Sequence, residues 1–207
     1  MGKCLIFCAA GFDALAEAPG PGDFVVAADG GLRHLSQAGL QPDAVLGDFD
    51  SLGYVPEGAA VYPVEKDDTD AMLAVRLGLE RGYREFVIYG GLDGPRLDHT
   101  VANFQTLQFL ADHGAKGCLV GREHIVTVVK DGELTFPAGF EGILSVFCMG
   151  ADARGVSIRG LKYTLEAGSL TAGFPLGVSN RFLGREGAVR VDRGSLLLIW
   201  DRRNGIL

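Results

Sequence analysis

Over its first 120 or so residues the chain alternates short apolar runs with stretches of helical spacing. "KCLIFCAAG", "FVVAADGG", "DAVLGDFDS", "GAAVYPV", "EFVIYGG" and "KGCLVG" read as strands, each a brief apolar run bounded by turn-forming residues. "LRHLSQAGL" reads as a short helix closed by Gly39. "DDTDAMLAVRLGLERG" reads as a capped helix with Leu73 and Leu77 on one face and Gly82 as its stop, and "DHTVANFQTLQFLADHG" as a longer helix. Strands alternating with helices predict a mainly parallel, doubly wound α/β sheet.

The pattern changes between Gly121 and His124. "HIVTVVKDGELTFP", "EGILSVFCMG", "VSIRGLKYTL", "GSLTAGFPLGVSN" and "GAVRVDRGSLLLIW" are short alternating runs separated by Gly, Asp and Pro, with no helical period. They predict an all-β second domain, a small sandwich or open barrel. The expected organisation is therefore an α/β domain over residues 1–122 followed by a β domain over 123–207. Trp200, inside "LLLIW", is expected in the core.

Composition narrows the function classes. With 47% hydrophobic residues in 207 the chain can bury a substantial core, and its 31 glycines are scattered rather than periodic. A formal charge of −7 lacks the basic face of a nucleic-acid scaffold. The four cysteines, Cys4, Cys8, Cys118 and Cys148, show no metal or redox spacing and sit in apolar runs, as reduced buried thiols do. The opening "MGKCLIFCAAGFDALA" is too short in its apolar part for a secretory signal and reads as a first strand, so a cytoplasmic protein is expected. No apolar run is long enough to span a membrane.

Candidate chemistry lies at the strand ends. In "VLGDFDS" an extended chain would send Asp48 and Asp50 to one side, where like charges repel and raise each other's pKa. Taken alone the stretch is more simply a solvated turn. In a parallel sheet, however, ligands bind beyond the carboxyl ends of the strands. "ADGG", "GDFDS", "EKDDTD" and "GGLDGPRLDH" should open onto one edge, crowding Asp29, Asp48, Asp50, Asp67, Asp68, Asp70, Asp93 and Asp98 into one crevice. Oxygen-only ligands point to Mg²⁺, which is commonly held by a few carboxylates together with substrate phosphates. The glycine pairs 30–31 and 90–91 allow close backbone approach to phosphate, and Lys66 and Arg96 supply positive charge. Neither GxxxxGK[ST] nor GxGxxG occurs, which excludes an ordinary P-loop or dinucleotide fold.

"ADGG", "GDFDS", "KDDTD", "G..G.RLDH", "GLKY" and "GVSNRF" together resemble the thiamine pyrophosphokinase family in order and rough spacing, directly over residues 28 to 182. The resemblance implies an α/β nucleotide-binding catalytic domain followed by a β-sandwich that binds thiamine and dimerises. It implies a homodimer with sites between subunits, and Mg²⁺-dependent transfer of a pyrophosphoryl group from ATP to the hydroxyethyl of thiamine, giving thiamine diphosphate and AMP. It marks Asp48, Asp50 and Asp70 as Mg²⁺ and phosphate-side carboxylates. Asp29, Gly30, Gly31, Ser51, Lys66, Thr69 and Arg96 fall on the nucleotide side. Asp98 would orient the thiamine hydroxyl or take its proton, with His99 beside it. Ser179 and Asn180 would contact thiamine across the dimer, and Phe182 would stack on its ring.

Three positions depart from the family pattern. Pro95 stands for a second glycine, Thr164 for the proline after "GLKY", and Arg181 for the glutamate after "SN". Rival readings are a pyrophosphokinase acting on another hydroxymethyl heterocycle such as a pterin, a non-catalytic nucleotide or thiamine-phosphate binding module, and a glycosyltransferase using "DFD" as its metal motif.

Overall fold

The computed structural model describes residues 2–50, 52–65 and 67–207; Ser51 and Lys66, both marked above as nucleotide-side residues, lie outside the described residues. The chain divides into two units, Met1–Arg122 and Glu123–Leu207.

In the first unit the order is β1 (Cys4–Phe7), β2 (Phe24–Ala28), α1 (Gly31–Gln37), β3 (Ala44–Gly47), β4 (Ala60–Val61), α2 (Asp70–Glu80), β5 (Glu85–Tyr89), α3 (Leu97–Asp112) and β6 (Lys116–Val120). The strands pair in parallel in the spatial order β6-β5-β1-β2-β3-β4. After β1 the chain builds outward through β2, β3 and β4, then returns to the other side of β1 to lay down β5 and β6. That reversal leaves a crevice beyond the ends of β1 and β5. Every residue of β1 and β2 is buried, as expected of parallel strands covered on both faces.

The helices follow capping and side-chain size. Thr69 caps α2, its hydroxyl oxygen accepting from the Met72 amide at 3.2 Å, and Gly82 at φ 89° ends the turn that follows Arg81. The face that α2 buries is Ala71, Ala74, Val75 and Gly78, whereas Leu73 and Leu77 are only half-buried. Small side chains let this helix lie close to the sheet. A Cβ on Gly78 would sit 2.6 Å from the Phe86 ring and 2.8 Å from the Cys4 sulfur.

The second unit contains β7 (His124–Lys130), β8 (Glu133–Phe136), β9 (Ile143–Cys148), β10 (Ala153–Arg159), β11 (Leu165–Leu170), β12 (Gly177–Arg181), β13 (Gly187–Arg190) and β14 (Ser195–Asp201), then a 3₁₀ turn at Arg202–Asn204. Antiparallel ladders run in the orders β12-β9-β14-β7 and β11-β10-β13-β8. Phe136 of β8 meets the Trp200 ring of β14 edge-on at 5.8 Å and the Phe182 ring at 5.2 Å, so the two ladders share one core. Among the described residues no helix is long and apolar enough to cross a membrane.

Candidate functional site

Beyond the carboxyl ends of β1, β2, β3 and β5 the first unit opens a cavity of about 580 Å³. Its walls include Asp29, Asp48, Asp50, Asp68 and Asp70 on the acidic side and Gly90, Gly91, Gly94, Pro95 and Arg96 opposite in sequence. Asp67, Asp93 and Asp98, expected in the same crevice, do not line it.

The local backbone explains which carboxylates converge. Asp29 ends β2 in a left-handed conformation (φ 48°), only 8% exposed, with its amide donating to the Leu46 carbonyl at 2.8 Å. Gly47 ends β3 so close that a Cβ there would stand 3.1 Å from the Asp29 backbone, at a φ of 147° that favours glycine. The strand therefore stops at Gly47, before the acidic pair. Phe49 then adopts φ 59° and buries its ring, while the Asp50 amide donates to Asp48 Oδ1 at 3.3 Å. Asp48 and Asp50 share a direction through this tight turn, not through the alternation of an extended strand. Carboxylate oxygens of Asp29, Asp48 and Asp50 come within 4.8 Å of one another. Like charges that close repel unless a cation lies among them.

Asp70 enters the cavity from the first turn of α2, below the Thr69 cap. Cys8, following β1, lines the same wall; burial, then the charges of Asp70 and Asp29, push its thiol up to about 12. It is thus a neutral wall group at ordinary pH. Asp68 is drawn toward Arg76, whose Nε lies 2.9 Å away. Asp93 accepts from the Arg122 amide at 2.6 Å and so ties its loop to the end of β6.

The second cluster opens α3. Arg96 lines the cavity, but its guanidinium is held by Asp98 through two hydrogen bonds of 3.2 and 2.5 Å. That pairing keeps the Asp98 carboxyl below its usual range. Asp98 itself is 65% exposed at the rim, while His99 and Thr100 face the cavity. Asn103, one turn beyond His99 on the helix, is buried and donates to the Gly91 carbonyl at 2.8 Å, fixing the glycine loop. Its signal in the sequence was the spacing of four from His99.

The two glycine pairs differ in role. Gly90 and Gly91 line the cavity; Gly30 and Gly31 do not. A Cβ on Gly31 would fall 1.8 Å from the Phe7 carbonyl oxygen, so this glycine is required for α1 to pack on β1.

In the second unit, Ser179 is exposed at φ 58°, its amide donating to the Ser145 hydroxyl at 3.1 Å. Asn180 is 4% exposed and spends its amide on Tyr163: its Oδ1 accepts from the Tyr163 amide at 2.9 Å and its Nδ2 donates to the Tyr163 carbonyl at 2.6 Å. Phe182 is 7% exposed and packs against Phe136 and Phe140, with Leu161 bridged to its backbone. "GLKY" and "GVSNRF" are therefore two sides of one hydrogen-bonded pair. The ring expected to stack on a ligand is a core ring here.

Comparison with known proteins agrees with the architecture. The family model of the thiamin pyrophosphokinase catalytic domain matches residues 21–119, and that of the thiamin pyrophosphokinase vitamin B1 binding domain matches residues 123–197. A thiamine pyrophosphokinase of Bacillus subtilis is 29% identical over 183 residues, covering 84% of this chain and 85% of that protein. The crystal structure of a thiamine pyrophosphokinase from Bacillus subtilis superposes with a TM-score of 0.82 at 26% identity, over 95% of this chain and 97% of that one. That of Geobacillus thermodenitrificans gives 0.81 at 26%, over 95% and 96%. With both of its units matched in order, the chain belongs to the thiamin pyrophosphokinase family.

Proposed function

We propose that the chain transfers the pyrophosphoryl group of ATP to the hydroxyethyl oxygen of thiamine, giving thiamine diphosphate and AMP. The observation that carries this reading is the acidic cavity, in which Asp29, Asp48 and Asp50 offer oxygens within 4.8 Å of one another. The donor set is hard and oxygen-only, which suits Mg²⁺. Asp29 joins the set that the resemblance marked, and Asp70 serves from the same wall. A bound Mg²⁺ would neutralise phosphate charge during transfer.

The remaining work falls to side chains and backbone. Backbone N–H groups of the glycine loop Gly90–Gly91, and the N-terminal end of α2, would donate to phosphate oxygens. Arg96 turns from Asp98 to the polyphosphate, which is the stronger anion. Asp98, released from that pairing, orients the thiamine hydroxyl. The hydroxyl oxygen attacks the β-phosphorus as the bond from it to the α–β bridging oxygen breaks. The hydroxyl proton passes to Asp98 and then to water, and AMP leaves with the bridging oxygen.

The β unit carries the thiamine side in a cytoplasmic homodimer. Ser179 is its exposed contact, and Asn180 holds the strand that presents it. Incubation with ATP, Mg²⁺ and either thiamine or a hydroxymethylpterin, with products identified by mass spectrometry, tests the reading. Thiamine diphosphate and AMP are expected. ADP with thiamine monophosphate, or diphosphorylation of the pterin alone, would overturn it.

A further inference from the structure

We propose that His34, which lies outside the cavity, is a positioning residue for it, holding the segment after β1 in the shape the cavity needs; this rests on the reading of the cavity as the nucleotide site. Residues Cys8, Ala9 and Ala10 form part of the wall although they belong to no strand or helix. The first anchors are backbone: the Cys8 amide donates to the Tyr89 carbonyl at 2.8 Å and the Ala10 amide to the Gly90 carbonyl at 2.9 Å. The Ala10 carbonyl, facing the other way, accepts from His34 Nε2 at 2.7 Å.

Three features make this a built contact. Gly31 lets the backbone of α1 close onto the Phe7 carbonyl, which fixes the helix against the end of β1 and places His34 one turn along. The His34 ring lies against Phe12 at 5.2 Å, and Phe12 in turn meets Tyr89 edge-on at 5.8 Å and Phe7 at 5.7 Å. Since a carbonyl oxygen is the partner, Nε2 carries the proton, and the buried Nδ1 has no hydrogen-bond partner among the described residues. The Ala10 carbonyl therefore sets the ring in one tautomer.

Ala10 matters because the opposite wall rests on it. A Cβ on Gly94 would stand 2.9 Å from the Ala10 methyl, so the loop from Gly90 to Gly94 closes on Ala10 with no slack. That loop leads directly into Arg96. A shift of Ala10 would thus move the glycine loop and the arginine together, while the carboxylates after β2 and β3 and at the start of α2 stay in place. His34 is therefore expected to govern the fit of the phosphate groups and not the acidic group itself.

Cys8 reports on this segment without any turnover, since the buried thiol is protected when the segment is seated. His34→Phe keeps a ring against Phe12 but no donor; His34→Gln keeps a donor. In His34→Phe, alkylation of Cys8 by N-ethylmaleimide, followed by peptide mass spectrometry, should accelerate about tenfold, and ATP should bind several-fold more weakly, as loss of one hydrogen bond implies. His34→Gln should restore both toward wild type, and Cys4 and Cys118 should remain protected throughout. Equal behaviour of the two variants, unchanged Cys8 reactivity in His34→Phe, or parallel exposure of all three thiols would overturn the proposal. If His34→Phe fails to fold, His34→Leu against His34→Gln makes the same comparison. Failure of the wild type to bind ATP would count against the nucleotide reading, while Cys8 reactivity would still decide the tether.

Discussion

In residues 1–122 the side chains marked by the family pattern stand past the ends of strands or in the first turn of the helix that follows; in residues 123–207 they stand within β12 or one residue beyond it. Past a strand end in a parallel sheet, every loop opens on the same edge, so Asp29, Asp48, Asp50 and Asp70 meet in one cavity whatever the details of each turn. Within an antiparallel strand, facing is decided residue by residue. Across β12 the register with β9 shifts between Gly177 and Asn180, and Ser179 takes a left-handed backbone. The result turns Ser179 outward and Asn180 and Phe182 inward. A run that looks like one binding motif thus separates into an exposed residue and two structural ones.

Phe182 separates the two units most sharply. If the ring is core, Phe182→Ala should cost about 3–5 kcal/mol of stability, measured by urea unfolding, with thiamine KM unchanged in whatever protein remains folded. A raised KM at full stability would return the ring to the ligand. The next largest effect belongs to the acidic group. Asp50→Asn should lower kcat by a hundredfold or more, about 3 kcal/mol in the barrier, and leave the melting temperature equal or slightly higher because a like charge is gone. Full activity at ordinary Mg²⁺ would remove Asp50 from the site.

Asn180→Ala should cost about 1–3 kcal/mol, since it removes the buried side chain that pairs both the amide and the carbonyl of Tyr163, whereas Ser179→Ala should stay within about 0.5 kcal/mol of wild type. For the same reason Ser179→Ala is the cleaner partner for Asp70→Asn in a subunit-mixing experiment. Recovery of activity on mixing the two inactive variants would support a site shared between subunits; an active Ser179→Ala enzyme would remove Ser179 from it. One effect appears only in alkali. Burial pushes the Cys4 and Cys118 thiols up to about 12. The folded state keeps protons there that the unfolded chain loses above about pH 8.5, so their contribution is complete below that pH and is lost as pH rises toward 12. Each thiol should steepen the fall by about 1.4 kcal/mol per pH unit. Cys118→Ala should melt less steeply with pH above 9 than wild type; an identical slope would contradict the burial.

The site was legible where topology alone placed it. Asp48 and Asp50 converge as the sequence suggested, but for a reason that alternation does not contain: Phe49 turns left-handed and buries its ring. Thr69 as a helix cap was readable from its position before an amphipathic run. The buried stripe of α2 was not, because leucines attract notice while Ala71, Ala74 and Gly78 do the packing. Gly30 and Gly31 looked like a phosphate loop because a glycine needed for close helix packing is written the same way as one needed for a ligand. Asp98 was readable as a member of the "RLDH" motif, but its ion pair with Arg96 depends on rotamers that no pattern records. Asn180 and Phe182 could not be assigned a face without the register shift beside them.

The acidic cavity is the centre of the proposed reaction. ATP labelled with ³²P at the α-phosphorus, incubated with Mg²⁺ and thiamine, should yield labelled AMP and unlabelled thiamine diphosphate in equal amounts with the wild-type protein. With Asp50→Asn of unchanged melting temperature, both should form at least about a hundredfold more slowly. Labelled ADP, or equal amounts of labelled AMP from both proteins, would contradict it.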